Sequence, residues 1–142
     1  MSYFRLRLRL SLENSLDNFE PNIPAVNILR LSILLGIPVK KLIEYLNFSL
    51  NTIIRRACLR GNLTASETKI FLGFYKIIRK VEDISFSSCR LENFDSVMWL
   101  GGWVGDCVPA LNGATPGTYL STLEGQAIIE NLLDCSVSGA YF

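Results

Sequence analysis

The 142-residue sequence contains no histidine, which removes the side chain that most often carries proton transfer and metal ligation near neutral pH. Its four cysteines, Cys58, Cys89, Cys107 and Cys135, are widely separated and form no Cys-x-x-Cys pair. Neither a zinc site nor a disulfide scaffold is expected, and the usage suits a reducing compartment. No close carboxylate pair stands in a recognisable context, and a cysteine nucleophile would lack its imidazole partner. The glycines form neither a GxxxxGK[ST] loop nor a GxGxxG turn after a strand. "GWVG" matches the bare GxxG of a KH domain but lacks that fold's alternation of strands and helices. The sequence therefore predicts a protein that is not an enzyme and needs no cofactor or metal.

Long apolar runs are also missing. The longest apolar region, "VNILRLSILLGIPV", carries Asn27 and Arg30 and falls short of a membrane span. Arg5, Arg7 and Arg9 interrupt the place where the apolar stretch of a signal peptide would lie. A cytoplasmic protein without membrane attachment is expected.

Basic residues are scarce in one part of the chain and acidic ones in another. Residues 37–80 hold nine basic side chains against two acidic, a net of +7, whereas residues 81–142 hold one basic against eight acidic, a net of −7. Residues 1–36 carry +1, so the formal charge of the whole is only +1. So segregated a field points to two partners, a polyanion for the middle and a neutral or cationic one for the tail.

What is present is a core-forming, helix-patterned chain. With 49% hydrophobic and 19% charged residues, it lies far from disordered composition. A chain this long buries roughly 70% of its unfolded surface. "PAVNILRLSILLG" reads as a helix opened by Pro24 and closed by Gly36. "PVKKLIEYL" follows, started by Pro38 and stopped near Asn47. Ser49 is placed to cap "LNTIIRRACLR", with Gly61 as its C-terminal cap. Thr64 and Glu67 form a capping box that launches a long helix, in which Ile70, Phe74, Ile77, Val81 and Ile84 recur at helical spacing. Residues 85–91 read as a linker, Glu92 to Trp99 as a fifth helix, and Thr122 to Asp134 as a last helix begun by Ser121 and Glu124.

The second and third helices, joined by a turn of about three residues, have the plan of a helix-turn-helix. On the third, Leu50, Ile53, Ile54 and Ala57 make the expected inward stripe. That leaves Asn51, Thr52, Arg55 and Arg56 outward to reach base edges or phosphates, with Lys40, Lys41 and Arg60 placed to hold backbone. The same pattern fits an ordinary helical hairpin with a solvated basic face; the local charge favours DNA.

From about Gly36 to Phe142 the chain resembles antitoxins of the Xre/MbcA/ParS type, which pair with RES-domain toxins. One block of the resemblance is "GIPVKKLIEYLNFSLNTIIRRACLRGNLTASE", similar to the family's helix-turn-helix at Thr52, Arg55, Arg56, Gly61, Leu63 and Glu67. Thr68 and Lys69 replace the aspartate-arginine usual after that glutamate. The other block matches Trp103, Val104, Ala110, Leu111, Gly113, Thr115 and Pro116. It continues through Leu120, Thr122, Gly125, Ile129, Leu132 and Leu133 to an ending with Gly139 and Tyr141. Cys107 stands where a proline is usual, and Asn112 replaces the first glycine of a pair. The resemblance implies an antitoxin that binds an NAD-consuming RES toxin, blocks its active site and represses its own operon by binding operator DNA. A stand-alone helix-turn-helix regulator is the alternative, with a nucleic-acid-processing enzyme as a remoter one. Expected toxin contacts are Trp103, Leu111, Gly113, Thr115, Pro116, Leu120, Gly125, Gly139, Ala140, Tyr141 and Phe142. Of these, Tyr141, Phe142 and the terminal carboxylate are placed to reach a nucleotide site.

The N-terminal "FRLRLRLSL" alternates strictly, with leucines on one side and Arg5, Arg7 and Arg9 on the other, the pattern of a strand with one apolar face. A lone strand is unstable in water, which favours self-association into a homodimer over a phosphate-touching arm. The expected fold is all-α with this one N-terminal β-strand. Its parts are an arm over 1–23, a helix-turn-helix and dimerisation domain over 24–86, and a toxin-binding domain over 87–142.

Overall fold

A computed structural model of the chain describes residues 23–88 and 96–137. The fold is all-α: six α-helices and two short 3-10 helices lie among the described residues. The arm over residues 1–22, Cys89, Glu92 and the ending Gly139, Ala140, Tyr141 and Phe142 lie outside them.

Before the first helix, Ile23 to Ala25 runs antiparallel beside Gly61 to Leu63. Ala25 donates its N–H to the Gly61 carbonyl at 2.9 Å, and Leu63 donates to that of Ile23 at 2.8 Å. The start of the described chain is thus pinned to the segment between two later helices.

Helix α1, Val26–Leu35, buries Ile28, Leu31, Leu34 and Leu35. It ends at Gly36, whose φ of 73° is the left-handed conformation glycine adopts without steric cost. Helix α2, Val39–Leu46, follows Pro38 and ends at Asn47 with φ 60°. Asparagine is among the few residues that enter this region readily. Helix α3, Leu50–Cys58, is capped by Ser49, whose hydroxyl accepts the Thr52 N–H at 3.5 Å. Its C-terminal turn differs from expectation: Arg60, not Gly61, takes the left-handed conformation, with φ 58°. Gly61 instead donates its N–H to the Arg56 carbonyl, closing the turn one residue later.

Helix α4, Ala65–Ser88, opens with the expected capping box. Glu67 N–H donates to Thr64 Oγ1 at 3.2 Å, and Thr64 N–H donates to Glu67 Oε1 at 2.9 Å. Phe71, Phe74, Ile77, Ile78 and Val81 line its buried face. The helix runs four residues into the expected linker, because "SFSS" contains neither glycine nor proline to stop it.

Helix α5, Ser96–Trp103, runs four residues past the end expected at Trp99, and Glu92, where its start was expected, lies outside the described residues. It includes Gly101, whose low helix propensity is overridden by packing. A Cβ there would stand 2.0 Å from the Leu35 carbonyl oxygen, so only glycine lets α5 approach α1 this closely. Two 3-10 turns follow, η1 at Pro109–Leu111 and η2 at Pro116–Tyr119. Helix α6, Leu123–Val137, completes the described fold. Thr122, not Ser121, supplies its N-terminal cap, its hydroxyl accepting the Gly125 N–H at 3.0 Å.

α4 and α6 pack along one another and run in the same direction: Gly73 lies against Gln126, and Lys80 Nζ donates to Asp134 Oδ1 at 2.7 Å. Gln126 is 3% exposed, and its side-chain amide donates to the carbonyls of Ile70 and Leu120, both at 3.0 Å. One buried residue thus joins α4, η2 and α6. The core is continuous from Ile23 to Leu133.

Candidate nucleic-acid and protein interfaces

The basic face is built on α2, the turn and α3. Lys40, Lys41, Asn51, Arg55 and Arg60 are exposed, and Thr52 is half-buried. Arg56 is tied down: its Nη1 donates to Glu67 Oε1, the carboxylate oxygen that also accepts the Thr64 N–H. The pair fastens the last turn of α3 to the first turn of α4, so Arg56 is occupied in holding α3 in place. Lys41 lies with its ammonium 5.5 Å from the centre of the Tyr45 ring.

The inward stripe of α3 is narrower than expected. Ile53 is buried, and Leu50 and Ala57 are half-buried, but Ile54 is 37% exposed. With 3.6 residues per turn, one side of α3 is sufficient to meet α1 and α2, and Ile54 lies off it. Asn51, Ile54, Arg55 and Cys58 instead form one exposed stripe at helical spacing.

The C-terminal block divides its described expected contact residues between its interior and its surface. Trp103, Leu111, Pro116, Leu120 and Gly125 are buried, where they shape the block. A Cβ at Gly125 would lie 2.1 Å from the Tyr119 carbonyl oxygen, so this glycine admits the tight approach of η2 to α6. Gly113 is exposed in the left-handed conformation with φ 84°, and Thr115 is half-buried at the start of η2. The outward apolar side chains, absent from the expected set, are Met98, Trp99, Leu123 and Ile128. Trp99 stacks on the buried Trp103 with ring centroids 5.7 Å apart. For Met98 and Trp99 the signal in the sequence was that α5 is apolar on every side, more than a helix packed on one face needs.

The two faces meet at Tyr45. Its ring lies on Gly117, where a Cβ would stand 2.4 Å from Cε1, and its hydroxyl lies near Gly105. Beside it opens a pocket of about 440 Å³, lined by residues of both halves, among them Lys41, Glu44, Thr115 and Ser121. Among the described residues no group of three His, Cys, Asp or Glu side chains is placed to hold a metal ion. No helix among them is long and apolar enough to cross a membrane.

The basic face on α2 and α3 and the C-terminal block with its exposed Trp99 are the two surface features that the described residues set apart. The chain is similar to an antitoxin. It is 27% identical over 138 residues to the Prs ADP-ribosylating antitoxin of Sphingobium sp. (strain YBL2), across 97% of this chain and 87% of that protein. No family profile matches the chain, and no solved structure matches it.

Proposed function

We propose that this chain is an antitoxin that docks on a RES-domain toxin, closes its NAD-consuming active site, and binds operator DNA through α3. The similarity to an antitoxin over 97% of the chain carries this reading, because it extends through the basic face and the acidic block alike. ADP-ribosyl transfer draws on NAD, so a partner that performs it must hold a dinucleotide's phosphates in a cationic pocket. An acidic block with eight carboxylates against one arginine over residues 81–142 is the complementary surface.

The toxin-binding unit is residues 87–142, with Gly113, Thr115, Trp99 and the ending Gly139 to Phe142 as the groups that touch the partner. Trp103, Leu111, Pro116, Leu120 and Gly125 support the described part of this surface from within. The unit over 24–86 binds DNA and dimerises, with the arm over 1–23 assisting self-association; a dimer presents two copies of α3 about 34 Å apart on one face of a duplex. The chain acts by binding and without a cofactor, in the reducing cytoplasm that free Cys58 and Cys107 suit.

Co-expression with the neighbouring gene tests the proposal. A stable complex in which NAD loss stops supports it; a toxin that remains active in the presence of the folded chain overturns it. A stand-alone DNA-binding regulator is the second reading, favoured by the +7 charge of residues 37–80. It predicts operator binding with no toxin partner.

A further inference from the structure

The exposed stripe of α3 contains one residue that its surroundings do not account for. Ile54 is 37% exposed, with Asn51 one turn before it and Arg55 immediately after. A lone exposed isoleucine is ordinary on a protein surface. This one lies on the second helix of a helix-turn-helix plan, within the segment of +7 charge. At an exposed helical position a straight-chain polar residue would favour the helix more than a β-branched apolar one.

The neighbours restrict what can cover it. Asn51 and Arg55, four residues apart, share the outward direction of α3. Asparagine matches the adenine edge and arginine the guanine edge in the major groove. Arg56 is held by Glu67, which leaves Asn51, Ile54, Arg55 and Cys58 outward, the first three nearer the N-terminus of α3. The apolar group that a duplex presents beside those purine edges is the thymine C5-methyl. We infer that Ile54 reads a thymine methyl group in the major groove, between positions read by Asn51 and Arg55. This rests on the DNA-binding part of the proposed function.

Enrichment of random duplexes on the full chain identifies a preferred site, in which each thymine is then replaced singly by deoxyuridine. Deleting a methyl that packs on Ile54 is expected to weaken binding about fourfold at one position, from the free energy of burying one such group. Ile54→Ala, checked for unchanged helicity, is expected to bind thymine and deoxyuridine at that position equally. Two results overturn the inference while leaving DNA binding intact: insensitivity of the unsubstituted chain to deoxyuridine everywhere, or an equal loss in Ile54→Ala. Failure to enrich any sequence, with no binding to duplex at low salt, overturns the DNA reading and the inference with it. The deoxyuridine series leaves the protein unaltered, so its result is independent of how the variant folds.

Discussion

Arg56 and Glu67, eleven residues apart, join the end of α3 to the start of α4 through a charged hydrogen bond shared with the Thr64 cap. Their side chains are 28% and 17% exposed, so solvent screens the pair only in part. Arg56→Ala is expected to destabilise the fold by about 1–2 kcal/mol, between the value of an exposed ion pair and that of a charged hydrogen bond. Arg55→Ala should leave stability within about 0.5 kcal/mol. It should also lower DNA affinity and flatten its salt dependence by about one phosphate contact. Urea unfolding and binding titrations at several salt concentrations separate these outcomes.

Arg60 should show opposite effects on stability and binding. The left-handed conformation costs a non-glycine residue about 1–2 kcal/mol, and glycine gives back part of that in the unfolded chain. Arg60→Gly is therefore expected to stabilise the fold by about 0.5–1 kcal/mol while weakening DNA binding. A thermal melt that falls instead of rising would contradict the strain assigned to this turn.

Gly117 and Tyr45 form the seat between the two halves. A methyl at Gly117 would stand 2.4 Å from the ring, and overpacking of this kind costs about 1–3 kcal/mol. Gly117→Ala should be destabilised by that amount, whereas Gly117→Ala combined with Tyr45→Ala should lose less than the sum of the single changes. A double-mutant cycle in urea gives the coupling, expected to be at least about 0.5 kcal/mol.

The proposed toxin contact is tested at the chain's end. Deleting Ala140, Tyr141 and Phe142 is expected to abolish neutralisation of a co-expressed toxin, with a thermal melt of the truncated chain checking that it is folded. Full neutralisation by the truncated chain would move the contact to Trp99 and the η1–η2 turn.

Local chemistry was the part of the fold the sequence made readable. Gly36 and Asn47 stop their helices and Thr64 with Glu67 starts the long one, because each acts through bonds to residues three or four positions away. The departures come from contacts distant in the chain. Arg60 takes the left-handed turn in place of Gly61 where Ile23–Ala25 pairs with Gly61–Leu63, and α5 extends through Gly101 because Leu35 requires the close approach. Ile54 faces outward because the position of α1 and α2 fixes the width of the buried side of α3. In the C-terminal block, the family resemblance singled out Trp103, Leu111, Pro116, Leu120 and Gly125 as expected contacts without distinguishing inward from outward side chains, and all five are buried. Gln126 went unread although it lies three and seven residues before Ile129 and Leu133 on the buried face of α6; a polar residue in an apolar stripe was its signal.

A core continuous from Ile23 to Leu133 also bears on how such a protein changes over generations. The helix bearing Lys41 also bears Tyr45, the seat of η2, and α4 packs against both later helices. Grafting residues 96–137 from a relative onto this framework would import foreign partners for Tyr45, Gly73 and Leu35. Selection on one of the two proposed binding faces would therefore act through packing on the other, and the two proposed specificities are expected to be inherited as a linked pair.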